Sequence, residues 1–394
     1  MKSLVVFSHL RWDFVQRRPQ HLLSRLARRW RVIYIEEPLA GSSRNGLEVI
    51  DVAEGVQVWR PQVTGAAPGF HDDHLPVLQK LIAEALHDKG IADYWAWMYT
   101  PMALSLATAI GPRGLVYDCV EDLSTCKDAP RQLVLRENLL FKLADLVFAG
   151  GHSIYNAKRH RHPEVHCFPN GVDAAHFAGN RAEHPLQAAI AHPRLGYCGV
   201  IDAHINLELI DAIAKGRADW NLVMAGPTAG IEPAALPRRD NIHWLGRQEY
   251  ADLPALIAGW DVCLLPYSLD DATHFINPGK TLEYMACGRP VVSTSIRDVV
   301  EAYGQVVRIA DTPEGFIADC DMIMQRTAAE RQEHARALAE IVARSSWEAT
   351  ADEMAELIAQ ADDLVDDGGA FARPTPLTDA AQTLPQRAPA RAGA

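Results

Sequence analysis

The fourteen residues Asn277-Pro278-Gly279-Lys280-Thr281-Leu282-Glu283-Tyr284-Met285-Ala286-Cys287-Gly288-Arg289-Pro290 bring a loop, a helix start, a cation and a carboxylate together. Gly288 suits the C-cap, and the apolar run from Pro290 reads as a strand entered at once. Backbone N–H groups left free at the helix start favour an anion, and Lys280 adds a point charge beside them. Glu283, three residues on, shares that face and can accept hydrogen bonds from two vicinal hydroxyls. A phosphate binder one turn from a diol acceptor is what a nucleotide diphosphate requires. The same spacing also fits an amphipathic helix carrying a solvated i,i+3 ion pair.

A second concentration of reactive side chains follows the first apolar run: His9-Leu10-Arg11-Trp12-Asp13-Phe14-Val15-Gln16-Arg17-Arg18-Pro19-Gln20-His21. From Arg11 to Arg31 there are seven Arg against a lone Asp13. Arg17 and Arg18 are expected on a diphosphate, and His9, Arg11, Trp12 and Gln20 on an acceptor, with Trp12 stacking on sugar or lipid. Arg25, Arg28 and Arg29 read as a solvated helix face, or as a basic patch resting on anionic lipid. A third group, Val116-Tyr117-Asp118-Cys119-Val120-Glu121-Asp122, ends a strand. Asp118 and Asp122 are the catalytic expectations there, as a base or as carboxylates that steer a hydroxyl and stabilise oxocarbenium-like charge. Asp122 suits a helix cap equally well.

Other patterns carry less. Asp319-Cys320-Asp321 spells D-x-D, but within a helix residues i and i+2 point apart, so no metal site is expected. Lys158-Arg159-His160-Arg161-His162 reads as a solvated helix end. Gly150-Gly151-His152-Ser153 is too short to define a phosphate loop, and the absence of GxGxxG argues against a nicotinamide or flavin dehydrogenase.

These residues need elements to hold them. Strands are expected over 4–8, 32–36, 94–99, 115–118 and 146–149, with a further one over 56–60, and helices over 20–29 and 75–89. The second half repeats the alternation, with strands over 194–201, 221–225, 242–244, 262–266, 290–293 and 306–309. Helices there are expected over 207–215, 251–259, 281–287, 314–326, 328–342 and 347–361. Continuous apolar runs such as Leu4–Phe7 suit parallel strands covered on both faces. The fold class is α/β: two Rossmann-like, doubly wound domains over 1–178 and 192–345, facing a cleft. A crossover helix over 346–362 and a disordered tail over 366–394 complete the chain. Of the 29 tail residues, 15 are Ala, Pro or Gly, too few apolar groups to order the segment.

Composition sets bounds on partners. The chain has 394 residues and a formal charge of −12, a poor balance for nonspecific nucleic-acid binding. Seven scattered Cys without a CxxC pair suit a reducing compartment rather than a disulfide framework. No run approaches the ~20 apolar residues of a membrane helix. The sequence is thus expected to be cytoplasmic, at most peripheral at the inner face of a membrane.

The segment Asn-Pro-x-Lys-x-x-Glu-Tyr-x-Ala-x-Gly-x-Pro-Val-Val resembles the donor-site signature of GT-B glycosyltransferases, the family 4-like and family 1-like relatives in particular. Phe168-Pro169-Asn170-Gly171-Val172-Asp173 resembles the interdomain segment of that group. Asn221–Pro227, Asn241–Gly246 and Trp260–Pro266 are similar to its strands, in order and spacing. The resemblance implies a metal-independent glycosyltransferase of hexosyltransferase type, with a nucleotide-diphosphate sugar as co-substrate and retention as the family outcome. It places Asn277, Gly279, Lys280, Thr281, Glu283 and Gly199 at the donor, beside Arg17 and Arg18. A hydroxyl of a glycan, lipid-linked or small-molecule acceptor would dock on the first domain. The sequence departs from the family in two places. Phe275 stands where the first of two Glu is usual, and Gly199-Val200-Ile201-Asp202-Ala203-His204 lacks the usual Arg and Lys. The diphosphate's charge must then be met by Lys280 and the first domain. A sugar-nucleotide epimerase of the same fold, or a non-catalytic nucleotide-binding protein, fits the same residues.

Overall fold

The computed structural model describes residues 2–123, 129–179, 181–271 and 273–366; nearly all of the tail, expected to be disordered, lies outside the described residues. The first sheet contains β1 (Ser3–Ser8), β2 (Arg31–Glu36), β3 (Gly46–Ala53), β4 (Val56–Gln62), β5 (Tyr94–Met98), β6 (Gly114–Cys119), β7 (Leu146–Ala149) and β8 (Val165–Cys167). The strand order is β3-β4-β2-β1-β5-β6-β7-β8, parallel throughout except for the antiparallel β3–β4 pair. The second sheet contains β9 (Arg194–Cys198), β10 (Asn221–Ala225), β11 (Ile242–Gly246), β12 (Val262–Leu265), β13 (Val291–Ser293) and β14 (Arg308–Ile309). Its order, β11-β10-β9-β12-β13-β14, is that of a doubly wound sheet, with its reversal between β9 and β12.

Helices α1 (Arg18–Leu26), α2 (Leu75–Asp88), α3 (Leu104–Ala109), α4 (Arg131–Leu143), α5 (His152–Lys158) and α6 (Ala174–Phe177) belong to the first half. The second half supplies α7 (Leu207–Gly216), α8 (Leu253–Ala258), α9 (Lys280–Ala286), α10 (Arg297–Tyr303), α11 (Pro313–Met324), α12 (Ala328–Ala343) and α13 (Trp347–Asp366). Strand alternation divides the first core in two. Val5 and Phe7 face Leu78, Ile82 and Leu140, while Leu4 and Val6 face Leu22 and Leu26 of α1 and Met354 and Ile358 of α13. The last helix therefore completes the first domain's core. Asp319 and Asp321 of α11 do point apart, to Arg308 and Arg217 respectively.

The chain crosses between the domains twice, side by side. Val172 N donates to Ser345 O at 2.7 Å, and a Cβ at Gly171 would stand 2.9 Å from Trp347 N. Beside this crossing, His21 stacks on Trp347 at 5.2 Å and meets the edge of Tyr250 at 5.4 Å. Burial, helped by Arg25, Lys280 and His176, pushes His21 down to about 3, so the ring is neutral.

Two surface expectations change. Arg25 and Arg29 bond to Glu348 at 2.7 Å and Asp352 at 2.8 Å of α13, and Arg28 lies 3.9 Å from Glu348. Arg25 is covered by this contact, whereas Arg28 and Arg29, just beyond the end of α1, stay largely exposed as a solvated face. Lys158 is not at a solvated helix end: it is buried, 2.8 Å from Asp122 and 3.4 Å from Glu137.

Candidate active site

The C-terminal edges of both sheets face one cleft, a cavity of about 510 Å³ lined by both domains. Its second-domain wall is built on the β9/β12 reversal, where open α/β sheets bind ligands. Gly199 follows β9 and Gly226 follows β10, with φ of +156° and +154°. A Cβ on Gly226 would sit 1.7 Å from Gly199 O, so this part of the wall is bare backbone of necessity. Asn277, Gly279, Lys280 and Glu283 line the same cleft. Asn277 O accepts from Asn170 Nδ2 of the interdomain segment at 2.6 Å, and Tyr284 Oη accepts from Cys198 N at 2.9 Å, fixing α9 to β9.

Lys280 Nζ lies 2.8 Å from Glu283 Oε2. The i,i+3 pair of the simpler sequence reading is therefore present, but it sits at the cleft and Glu283 is buried rather than solvated. Burial disfavours the ammonium, yet the Glu283 carboxylate outweighs that cost and holds Lys280 above the usual lysine range. With seven residues, α9 has only a short dipole, and the positive charge at its start is that of Lys280. Thr281 is a correction: its side chain is fully buried, with Oγ1 unpartnered, beneath the wall rather than on it.

The first-domain loop differs from its reading in several places. Glu36, fully buried, accepts from Arg11 Nη1 at 2.9 Å, Trp12 N at 2.8 Å and Arg60 Nε at 2.6 Å. Gln20 Nε2 donates to Trp12 O at 2.7 Å and Val15 O at 3.1 Å, while its Oε1 accepts from Arg17 N at 3.0 Å. Arg11 and Gln20 thus shape the loop from behind instead of meeting an acceptor. His9 is also turned inward, its Nδ1 buried, and burial lowers its pKa. Trp12 does line the cleft, packed edge-on against Tyr34 at 5.0 Å, and Phe14 and Arg17 line it too.

Asp118 is the largest correction. It is fully buried, receiving Arg18 Nε at 3.1 Å and Nη2 at 3.0 Å. Arg18 Nη1 donates to Phe168 O at 2.7 Å, tying α1 to the interdomain segment. Burial pushes the Asp118 carboxyl up and Arg18 pulls it down. The pair is a bidentate support at the floor of the cleft, which Arg18 lines, and it uses the charge of Arg18 as well as that of Asp118. Asp122 lines the cleft, but is buried and paired with Lys158.

Sequence reasoning passed over several cleft residues: Glu121, Asp202, His204, Arg247 and Tyr250. Arg247 Nη2 reaches across to Asp13 O at 3.0 Å, joining the two walls at the rim. Asp202 and His204 were visible only as the residues occupying positions where basic ones were missed.

Residues 192–326 match the family model "Glycosyl transferases group 1". The fold is the GT-B fold of glycosyltransferases. It is similar to sucrose-phosphate synthase from Thermosynechococcus elongatus, with a TM-score of 0.69 at 15% identity over 91% of this chain and 99% of that one. The Anabaena protein HepE, solved in complex with UDP-glucose, gives a TM-score of 0.69 at 15% identity, covering 91% of this chain and 100% of its own. TuaH of Bacillus subtilis (strain 168), provisionally named a teichuronic acid biosynthesis glycosyltransferase, is 25% identical over 245 residues. That alignment takes in 56% of this chain, and the chain spans 61% of the length of TuaH. No helix among the described residues is long and apolar enough to cross a membrane.

Proposed function

We propose that the protein is a glycosyltransferase that moves a hexosyl group from a nucleotide-diphosphate sugar to a hydroxyl of a glycan, lipid-linked or small-molecule acceptor. The observation that carries this is the pairing of Lys280 and Glu283 in the cleft that the bare backbone of Gly199 and Gly226 also lines. Vicinal ribose hydroxyls would displace Lys280 from part of its hold on Glu283, freeing ammonium N–H groups for phosphate oxygens. Arg17 and Arg247, lining the same cavity, add the charge a diphosphate needs. Trp12 and Phe14 offer the acceptor an apolar face. In the reaction the bond from the anomeric carbon to the terminal phosphate oxygen breaks, and both electrons go to that oxygen. The acceptor oxygen bonds to the anomeric carbon, and its proton passes to the departing diphosphate. This proton route needs no free carboxylate base and is consistent with retention. The cations of the cleft support a metal-independent reaction.

A thermal-shift panel of UDP, GDP, ADP and their sugars tests the reading, since a ligand at 100 times its Kd adds about 2.7 kcal/mol. Stabilisation by one nucleotide series, followed by chelator-resistant transfer to an acceptor, is expected. Release of free epimerised sugar without any acceptor would replace it with an epimerase. Silence across the panel would remove nucleotide binding altogether.

A further inference from the structure

Strands β9, β12 and β13 run parallel, so the sheet that meets the cleft at its C-terminal edge has another edge at the strand starts. A cavity of about 530 Å³ lies there, lined by Pro193, Asp261 and Pro290, the residues immediately before those three strands. That volume falls within the roughly 300–1,000 Å³ of small-molecule sites. Ile323 and Met324, at the end of α11, give it an apolar side.

Its charge is one-sided. Arg289 after α9, Arg326 after α11 and Arg331 on α12 all line it. Arg289 Nη2 donates to Ala258 O, and Arg331 Nε to Arg326 O at 3.1 Å; both acceptors are backbone carbonyls, which leave the guanidinium charge unmatched. Arg289 Nε is buried without an acceptor. The Arg326 side chain has no hydrogen bond or ion pair among the described residues; burial and Arg308 push its pKa down, and Glu330 offsets part of that. Asp261 is the one acid among the described lining residues, and it is already held by His192 Nδ1 at 2.7 Å and Arg194 N at 2.7 Å.

We propose that this cavity is a second anion site, separate from the cleft, that takes the phosphate of a monoester, either a soluble one or the head of a lipid. Three guanidiniums from separate segments share a partly dry space without a carboxylate, and a doubly charged group with three free oxygens can accept from all of them. The volume and the apolar side leave room for the body that carries the phosphate. The site does not rest on the glycosyltransferase reading. Lys280 opens α9 at the cleft, while Gly288 and Arg289 follow its other end here, so substitutions tell the two sites apart.

Calorimetric titration of inorganic phosphate and phenyl phosphate into the full chain, with ionic strength held constant by sodium chloride, tests the proposal. Saturable binding of both is expected. Arg326→Gln and Arg331→Gln should each weaken it by about tenfold or more, the size of one hydrogen bond to a charged group, and Arg326→Lys by less. Arg326 is half-buried and Arg331 exposed, so the variants should keep the wild-type unfolding midpoint. Lys280→Gln should bind phosphate as the wild type does. Co-sedimentation with phosphatidylcholine vesicles containing phosphatidic acid separates the sources. Sedimentation reversed by phenyl phosphate supports a lipid head, and phosphate binding without sedimentation supports a soluble ester. Absence of saturable phosphate binding, or wild-type affinity in the Arg326→Gln/Arg331→Gln protein, overturns the site. Phosphate binding lost in Lys280→Gln would place the anion in the cleft and overturn it as well.

Discussion

The two walls of the cleft use their charges differently. On the first-domain wall the loop over 9–20 is rich in Arg, yet Arg11 is bound to Glu36 and Arg18 to Asp118. Its charge is largely spent on holding its own shape. On the second-domain wall the charge is sparser, and more of it faces the cleft: Lys280 with Glu283, and His204 with Asp202. A count of basic residues favours the first wall as the anion site. The partners of those residues favour the second. Density of charge along a sequence is thus a poor guide to charge available to a ligand.

That contrast can be broken most sharply at Arg18. Arg18→Met leaves Asp118 buried without its partner and should cost about 3–5 kcal/mol of stability, read from urea unfolding midpoints. A variant of normal stability that merely loses nucleotide affinity would return Arg18 to the ligand and erase the difference between the walls. On the opposite wall, Glu283→Gln should weaken nucleotide-sugar binding by about 100-fold while moving the unfolding midpoint far less. Wild-type affinity in that variant would remove the ribose role. Gly226→Ala forces a methyl group towards Gly199 O and should destabilise by about 1–3 kcal/mol, with binding lost as well; a crystal structure showing an unmoved Gly199 would contradict the close approach.

An effect spread over several pH units concerns the hinge between the walls. His21 is held near 3 when folded, below its ordinary value of about 6.5. Above that ordinary value neither state binds the proton. Between the two values the unfolded chain takes it up and the folded one does not. Stability should therefore fall on acidification by up to about 1.4 kcal/mol per pH unit from this group, and level off below about pH 3. His21→Phe should flatten part of that slope in denaturation measured at successive pH values. An unchanged slope would mean that His21 protonates in the folded protein.

Local features were legible and pairings were not. The strands at 221–225 and 146–149 were read with their observed bounds because each is a short apolar run between turn residues. β3 was missed because Glu48 and Asp51 interrupt it with polar side chains, as an exposed antiparallel edge strand permits. The segment from Asn277 to Glu283, which lines the cleft, could be read because its cation and carboxylate are one helical turn apart. Asp118 was misread for the opposite reason. Its partner Arg18 is 100 residues away, and nothing in the local run says that the strand end is roofed. Asp202 and His204 sat in plain view, but an acidic–imidazole pair two residues apart in a loop takes its meaning from the strand it follows. Phe275, noted as a missing carboxylate, packs against the first domain's hydrophobic core while also lining the cleft.

The closing helix α13 has a consequence for the order in which the protein is made. Its Met354, Ala355 and Ile358 fill the first domain's core beside Leu22, Leu26 and Trp97, and its Asp362 holds Lys2, Trp95 and Arg113. A ribosome delivers these last residues only after the whole second domain has emerged. The half translated first is thus the half that finishes later, and until then one greasy face of its sheet stays open to the nascent chain's surroundings. A fragment ended near residue 178 would be stranded at that stage.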